Sequence, residues 1–504
     1  MNPKKLYTSY QEKKNDFHCY IDNIKKNAPW DINSIINATL VKNPYASDFP
    51  LRFFKNDTNT SNKTLLILKS IFKFYTRNIY LFFSYMIASL LYKLYYRRKR
   101  KNNLQIIIDV FGLIDKTNQN GKYTENYLAG IYQIFEKFNT PYSILIRPYG
   151  VGKNPFKLKQ FFKIINKDSR DFIFEYEFLS LYNIIELFFL ILIYPFKTLR
   201  LLQKEKTPID KMFNYSLIAD LQKFSFDSLT RYILGKNLSK IKSIEKIYSW
   251  SEFQVIERSF NYAIRKNSNH IELIGLQFSL NYEVYFNAYT DDIDYEILSS
   301  PHKMLVNGRY YVQNRKKIKY IKGVSLRYKE IFNFKGIKEE KNIILLGSYV
   351  VPDTIYMLQS RMVSQNLIFK SHPAIDINQF DIYLNDIIIS TENIYRLFQE
   401  AKLVVCSTMS GAAVEAVACG VSVIIIASQD NLTANPLVEY GQGKIWDIVY
   451  DVSEMEGIYK KLLDYRANSR KEINEIANWY KDNFFVKPTE ENIVKVFELE
   501  KEKN

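Results

Sequence analysis

The chain is poor in the residues that build metal centres and disulfide scaffolds. Its 504 residues include three cysteines, Cys19, Cys406 and Cys419, and four histidines, His18, His270, His302 and His372. No CxxC or HxxxH spacing occurs among them. Neither a disulfide framework nor a metal site is therefore expected, and the thiols read as buried groups of a reducing compartment. There is no Gly-rich linker, no internal repeat and no GxxxxGK[ST] phosphate loop. The first 30 residues are polar and charged, without the apolar core of a secretory signal, so a cytoplasmic location is expected.

Acidic residues are scarce at the start. Residues 1–104 hold 19 Lys and Arg against 6 Asp and Glu, a surplus of 13 within the net charge of +17, and the remainder is nearly balanced. Nucleic acid is the first partner a basic segment suggests, but this one borders an apolar, aromatic run. No charge falls between Asn78 and Tyr92, and Lys93, Arg97, Arg98, Lys99, Arg100 and Lys101 follow at once. Such a stretch falls short of the roughly 20 residues that span a bilayer. The expectation is a helix lying in the cytoplasmic face of the membrane, with basic side chains on anionic phosphates and no nucleic-acid partner. A second run, LFFLILIYPF at 187–196, precedes Lys197 and Arg200, is also short and contains Pro195. It is expected on the same face, with a buried core helix as the alternative for both runs.

With 47% hydrophobic residues the chain has material for two or more domains. From residue 104 the pattern is that of an α/β protein. Strands are expected at 105–110, with Asp109 near the end, and at 143–147, 172–176, 247–250 and 271–277, with helices at 123–138, 178–202 and 252–265. The charged stretch 331–341 reads as a linker. Beyond it, strands at 342–346, 366–370, 386–390, 403–406, 421–427 and 446–450 alternate with helices, which gives a second parallel, Rossmann-like sheet. The expected domains are 1–103, 104–330 and 342–452, followed by charged C-terminal helices at 453–504.

The most informative stretch is residues 402–428, KLVVCSTMSGAAVEAVACGVSVIIIAS. Two β-branched runs flank a small polar turn and an Ala-rich helix that Gly420 ends. Strands apolar on both faces belong to a parallel sheet, and such sheets bind ligands beyond their carboxyl ends. Ser407, Thr408, Ser410 and Gly411 occupy that edge, where a phosphate group fits. A second signal lies upstream, where the run 366–369 ends in Lys370, Ser371, His372 and Pro373. These place a cation and an imidazole at another strand's carboxyl end, and Pro373 fixes the turn.

The pair KSHP and STMSG, followed by VEAVACGVSVI, resembles the nucleotide-sugar half of bacterial GT-B glycosyltransferases, closest to sialyltransferases and Kdo transferases. The resemblance covers the chain after about residue 340. It implies two Rossmann-like domains facing a cleft. It also implies that His372, Ser407, Thr408 and Ser410 hold the phosphate of a CMP-sugar, and that Glu415 binds the ribose. Lys370, Pro373, Gly411 and the first-loop Ser348 complete the implied donor site. Retaining members often carry a glutamate eight positions before the Glu415 equivalent, where this chain has Ser407, so an inverting, metal-independent transfer is favoured. No cofactor is implied, because the nucleotide-sugar is a substrate. In the first domain, the stretch around Trp250, Glu252, Gln254 and Glu257, and that around Gln277 and Ser279, resemble segments of bacterial surface-carbohydrate biosynthesis proteins. Phe278 stands where those have His. Glu252, or else Asp109, is the expected base for the acceptor hydroxyl, with a helix-start carboxylate as the plainer reading of Glu252.

Together these features point to transfer of a sugar to a lipid-linked or surface glycan. A CDP-polyol phosphotransferase or a sugar-nucleotide 2-epimerase remains open as an alternative on the same fold. A non-catalytic scaffold at the membrane is the alternative from another class.

Overall fold

A computed structural model describes residues 2–58, 62–96, 98, 104–113, 123–125, 127–149, 154–252, 254–360 and 366–499. The basic residues Arg97, Lys99, Arg100 and Lys101 lie outside them.

The apolar runs form two wholly parallel sheets. In the first, the strands β1 (Ile106–Leu113), β2 (Ser143–Tyr149), β3 (Phe172–Ile173), β4 (Lys246–Trp250), β5 (Glu272–Leu276), β6 (Lys303–Val306) and β7 (Lys319–Lys322) are ordered β3-β2-β1-β4-β5-β6-β7. The second contains β8 (Asn342–Leu346), β9 (Leu367–Lys370), β10 (Ile388–Ile389), β11 (Ala401–Ser407), β12 (Val423–Ile426) and β13 (Trp446–Val449), ordered β10-β9-β8-β11-β12-β13. In each sheet the first strand lies inside and the chain winds outwards to both edges, so the strand order reverses there, where such folds form their ligand crevice. Helices bury both faces, and β8 is buried along its whole length. The protein is thus a two-domain α/β chain with the GT-B arrangement.

Local departures from the expected elements have local causes. The expected helix at 123–138 begins only at Ile131 (helix Ile131–Lys137), because Gly130 takes φ +89° and Glu125 accepts the N–H groups of Tyr127 and Leu128 at 2.9 and 3.1 Å. The strand at 172–176 stops after Ile173, where a 3-10 turn, Glu175–Phe178, begins. β7 was not foreseen, since its sequence KYIK is that of a largely exposed edge strand with lysine at both ends.

The N-terminal segment is no detached appendage. Its helices α1 (Pro3–Asn27), α2 (Ile32–Leu40) and α3 (Phe49–Lys55) precede the long α4 (Lys63–Tyr95). Phe17, Phe49, Phe53 and Phe54 pack with Phe213 and Phe286 of the first domain and with Leu432 and Ala434 of the second. Lys25, 2% exposed, places its ammonium 2.8 Å from Asp291 and 2.9 Å from Asp294, and Arg258 meets the same Asp294 at 3.0 Å. Tyr45 donates to the carbonyl of Leu432 at 3.3 Å, and Asn431 donates to that of Pro44 at 3.2 Å. Residues 2–58 therefore bridge both domains, and of these N-terminal helices only α4 turns a broad apolar face outwards. Cys19 is exposed, against expectation, while Cys406 and Cys419 are buried.

The C-terminal helices Met455–Asn468 and Arg470–Phe484 cover the second domain, and the chain then crosses back. Ser325 and Val486 exchange backbone and hydroxyl hydrogen bonds at 3.0 Å. In the last helix, Glu490–Phe497, Phe497 packs on Tyr248 with ring centroids 5.1 Å apart.

Candidate active site in the interdomain cleft

The second sheet's carboxyl edge is built from three loops. After β8, a side chain on Gly347 would press on Thr354 at 3.0 Å and on the Phe369 ring at 3.2 Å, so a larger residue would displace its neighbours. Ser348 is buried, donates its N–H to the Thr354 hydroxyl at 3.0 Å and accepts from the Val350 N–H at 3.1 Å. The Thr354 hydroxyl in turn lies 3.3 Å from that of Ser407, which ties the ends of β8 and β11 together.

After β9, Lys370 and His372 are half-buried at the opening. His372 Nδ1 accepts the Ala374 N–H at 3.2 Å, so in the neutral ring the proton sits on Nε2. Its ring meets exposed Tyr349 edge-on, with centroids 5.9 Å apart, and Pro373 is exposed just beyond.

The turn after β11 departs from expectation. Ser407 and Thr408 are 1% and 0% exposed. The Thr408 hydroxyl accepts the Ala434 N–H at 2.7 Å, while Met409, at φ +66°, donates its N–H to the Ala434 carbonyl at 2.9 Å. The Thr408 hydroxyl therefore holds the strand end against the 428–434 loop and the Ser407 hydroxyl is turned to Thr354, instead of facing the opening. Met409, Ser410 and Gly411 are the half-buried members of the turn, and the Tyr282 hydroxyl of the first domain stands 3.7 Å from where a side chain at Gly411 would begin. Glu415, on the following helix Ala412–Ala418, accepts from the Tyr395 hydroxyl. Burial pushes its carboxyl above the usual range, opposed by the Tyr395 bond and by Arg327.

Across the cleft, Glu252 follows β4, is half-buried and accepts a hydrogen bond from the Ser279 hydroxyl. Gln254 is engaged structurally, donating to the Tyr285 hydroxyl at 2.7 Å and accepting from Asn43 at 3.2 Å. Glu257 closes the helix start on the Gln254 N–H at 2.9 Å, and burial pushes its carboxyl up to about 7.

Asp109 does not belong to this group, and the expectation that it could act as base is corrected. β1 continues to Leu113, so Asp109 lies mid-strand and fully buried, paired with Arg231 and accepting from the Ser249 hydroxyl at 2.7 Å. No acceptor can reach it there.

Arg327 was not singled out from the sequence. It follows β7, lies over the Tyr127 ring at 4.9 Å and donates to the Phe278 carbonyl at 3.3 Å. Its side chain is exposed to solvent at the cleft mouth. Desolvation works against its charge, but Tyr328, Tyr127, Glu415 and Glu252 outweigh that and hold the guanidinium above its usual range. One cation thus feels a carboxylate from each domain. Its only mark in the sequence was a basic residue in the stretch just before the linker.

Compared with protein-family models and with curated proteins, the chain matches none. Among solved structures it is similar to the wall teichoic acid polymerase TagF in a CDPG soak, with 11% identity over 85% of this chain and 96% of that one and a TM-score of 0.38. It is similar to the UDP-GlcNAc 2-epimerase from Neisseria meningitidis bound to UDP-GlcNAc, with 9% identity, 79% and 100% coverage and a TM-score of 0.40. A third similarity is to the calicheamicin glycosyltransferase CalG4, with 7% identity, 79% and 98% coverage and a TM-score of 0.42.

Asp353 gives a test of the donor-side electrostatics. It is 6% exposed in the first turn of the helix Val351–Gln359, and its Oδ1 accepts from the Ser428 hydroxyl at 2.8 Å while Oδ2 has no hydrogen-bond partner among the described residues. Burial raises its carboxyl from the ordinary 3.8 to about 6. Between those values the folded protein holds a proton that the unfolded chain has released, so this group's contribution to stability falls as pH rises through the window. Asp353→Asn keeps an oxygen for Ser428 and removes the charge. The expected result is a Tm above the parent's at pH 8, with the gain shrinking towards pH 4; an equal gain at both pH values would contradict it.

Proposed function

We propose that the protein transfers a sugar from a nucleotide-activated donor, a CMP-sugar favoured, to a lipid-linked or surface glycan acceptor. The observation that supports this best is the placing of Glu252, held by Ser279, and of Ser410 and Gly411 at the carboxyl edges of two parallel sheets, with the Tyr282 hydroxyl of the first domain 3.7 Å from where a side chain at Gly411 would begin. In this reading Glu252, oriented by Ser279, takes the proton of the acceptor hydroxyl. The hydroxyl oxygen attacks the anomeric carbon, the bond from that carbon to the phosphate oxygen breaks, and the nucleotide phosphate leaves with the electron pair, inverting the centre. Lys370 and His372 offset its developing charge, and Ser410 and Gly411 leave room for it. Glu415 binds the ribose. Ser348, Ser407 and Thr408 shape this pocket from behind through Thr354 and Ala434. Transfer of a polyol phosphate from a CDP donor would use the same base and the same cations, and differs in product.

A membrane-bound acceptor is supported by the outer surface of the first domain. On α4, Leu68, Phe72, Phe83, Ile87, Leu90 and Leu94 are each more than half exposed, at helical spacing. The helix Leu181–Leu199 packs beside α4, buries Leu187, Ile191 and Tyr194, and exposes Ile185, Phe189 and Phe196. By length and composition it could cross a bilayer, yet a third of it is buried in this domain. Lys69, Lys73 and Lys93 lie on α4, and Lys159 and Lys163, on the helix Pro155–Ile165, reach over the Tyr95 ring near its end. Arg98 does not join them, because it is spent on Asp171 and Glu177 at 2.8 and 2.9 Å. An apolar face bordered by cations matches an anionic lipid surface, on the inner membrane of a bacterial cell in this reading.

Two measurements test this reading. In a thermal-shift screen of CMP, CDP, UDP and GDP, a cytidine or uridine nucleotide is expected to stabilise the protein, whereas no response to any of the four would favour a non-catalytic scaffold. With the sugar donor of the responding nucleotide, His372→Ala should lower turnover by roughly 100- to 1000-fold. Glu252→Gln should keep nucleotide affinity and lose transfer. Parent-like turnover of the His372 variant would remove it from the site.

For the membrane face, sedimentation with phosphatidylcholine vesicles should be weak, and with vesicles containing phosphatidylglycerol strong and reduced by high salt. Phe72→Glu with Phe83→Glu should abolish it without lowering Tm, since both side chains are exposed. Equal sedimentation of the parent and this variant would contradict the assignment.

A further inference from the structure

Glu415 is held from one side only. Its Oε2 accepts from the hydroxyl of Tyr395, whereas Oε1 accepts no hydrogen bond among the described residues and is open to solvent in a half-buried side chain. The two groups come from separate segments, Glu415 from the helix Ala412–Ala418 that follows β11 and Tyr395 from the short helix Ile394–Phe398 that precedes it. Tyr395 is itself fixed. Asn393 caps that helix by accepting the Tyr395 N–H at 2.9 Å, and the Tyr395 ring meets Phe398 edge-on with centroids 5.9 Å apart. Burial and the neighbouring carboxylate hold the Tyr395 hydroxyl above its usual range, so it stays a donor.

A glutamate carboxylate turns easily about its last bond, because that terminal torsion is broad. A hydrogen bond to one ionised oxygen is strong enough to select a single orientation. Oε1 is then the oxygen left for a ligand. A ribose offers two neighbouring hydroxyls, and a carboxylate with both oxygens free grips the two together. With Oε2 engaged by Tyr395, one hydroxyl meets an ionised acceptor and the other does not. A site that supplies an acceptor for a hydroxyl rejects the analogue lacking it, since the acceptor is then desolvated without a partner.

We propose that Tyr395 is a positioning residue of the donor site, which turns Glu415 so that its free Oε1 accepts from one ribose hydroxyl of the nucleotide and leaves the other unread. The proposal rests on the donor reading above and adds how the ribose is selected. Tyr395 touches no substrate in this arrangement. It acts through Glu415 alone, by keeping one oxygen occupied and the other aimed.

The test is titration calorimetry on the full chain with the nucleotide that responds in the thermal-shift screen and with its 2′-deoxy and 3′-deoxy forms. One deoxy form should bind the parent roughly 10-fold or more weakly than the ribonucleotide, and the other within about 3-fold of it. Tyr395→Phe keeps the ring and removes the donor. It should weaken the ribonucleotide and shrink the larger ratio to about 3-fold or less. Glu415→Ala should abolish the ratio, and adding Tyr395→Phe to it should change the affinity no further, which a general loosening of the fold would not reproduce. Three results overturn the proposal and leave the donor reading in place: equal affinity for all three forms in the parent, an equal loss for both deoxy forms, or a Tyr395→Phe variant that keeps the parent's ratio. A further loss when Tyr395→Phe is added to Glu415→Ala overturns it as well, since Tyr395 would then act on the fold and not through Glu415. A parent that binds none of the four nucleotides sinks the donor reading and this proposal with it.

Discussion

A parallel strand covered by helices on both faces can place polar chemistry only at its ends, and this constraint governs the whole molecule. In β8, β11 and β12 almost every side chain is apolar and buried, so the first residues free to be polar are those just past the carboxyl ends. There stand Ser348, the KSHP loop and the STMSG turn. The same holds in the first sheet, where Glu252 and Gln277 stand just past the ends of β4 and β5. Because the two carboxyl edges face each other, the side chains released from burial meet in one cleft.

That meeting needs the domains to be held in register, and the chain uses both termini to do so. Residues 2–58 wedge aromatic rings between Phe286 and the 428–434 loop, and the charge of the buried Lys25 is offset by Asp291 and Asp294. The last helix returns from the second domain to the first and pairs Glu498 with Lys303 at 2.9 Å. The basic surplus of the first hundred residues thus divides between two uses. Part of it, as at Lys25 and Arg98, is neutralised inside the fold, and part, as at Lys69 and Lys73, borders the exposed face of α4.

Much of this was legible in the sequence where one residue decides one thing. Gly420 ends its helix at φ +76°, as an Ala-rich run followed by glycine foretells. Glu252 stands between a strand and a helix because Trp250 closes an apolar run and an amphipathic stretch follows. What could not be read is the direction in which a side chain turns. Ser407 and Thr408 are small and polar at a strand end, which fits a phosphate ligand and a loop anchor equally; Thr354 and Ala434, distant in sequence, decide for the second. Asp109 looked terminal because β1 continues through Phe111 and Gly112 into a stretch with weak strand pattern. Arg327 was invisible for the same reason in reverse, since both carboxylates that give it meaning lie on remote segments. The packing of the N-terminal segment against both domains could not be read, because composition reports charge, while burial of Phe17, Phe49 and Phe54 reports contact.

The central claim is that the cleft is a nucleotide-sugar site with its donor half on the second sheet. Hydrogen–deuterium exchange with and without saturating CMP, CDP, UDP or GDP tests it most directly, because it reads the location of binding without knowledge of the acceptor. The account predicts slowed exchange in residues 347–354, 370–374 and 408–415, extending to 323–328 across the cleft, with α4 unchanged. Protection confined to other segments, or none with any of the four nucleotides, would contradict it.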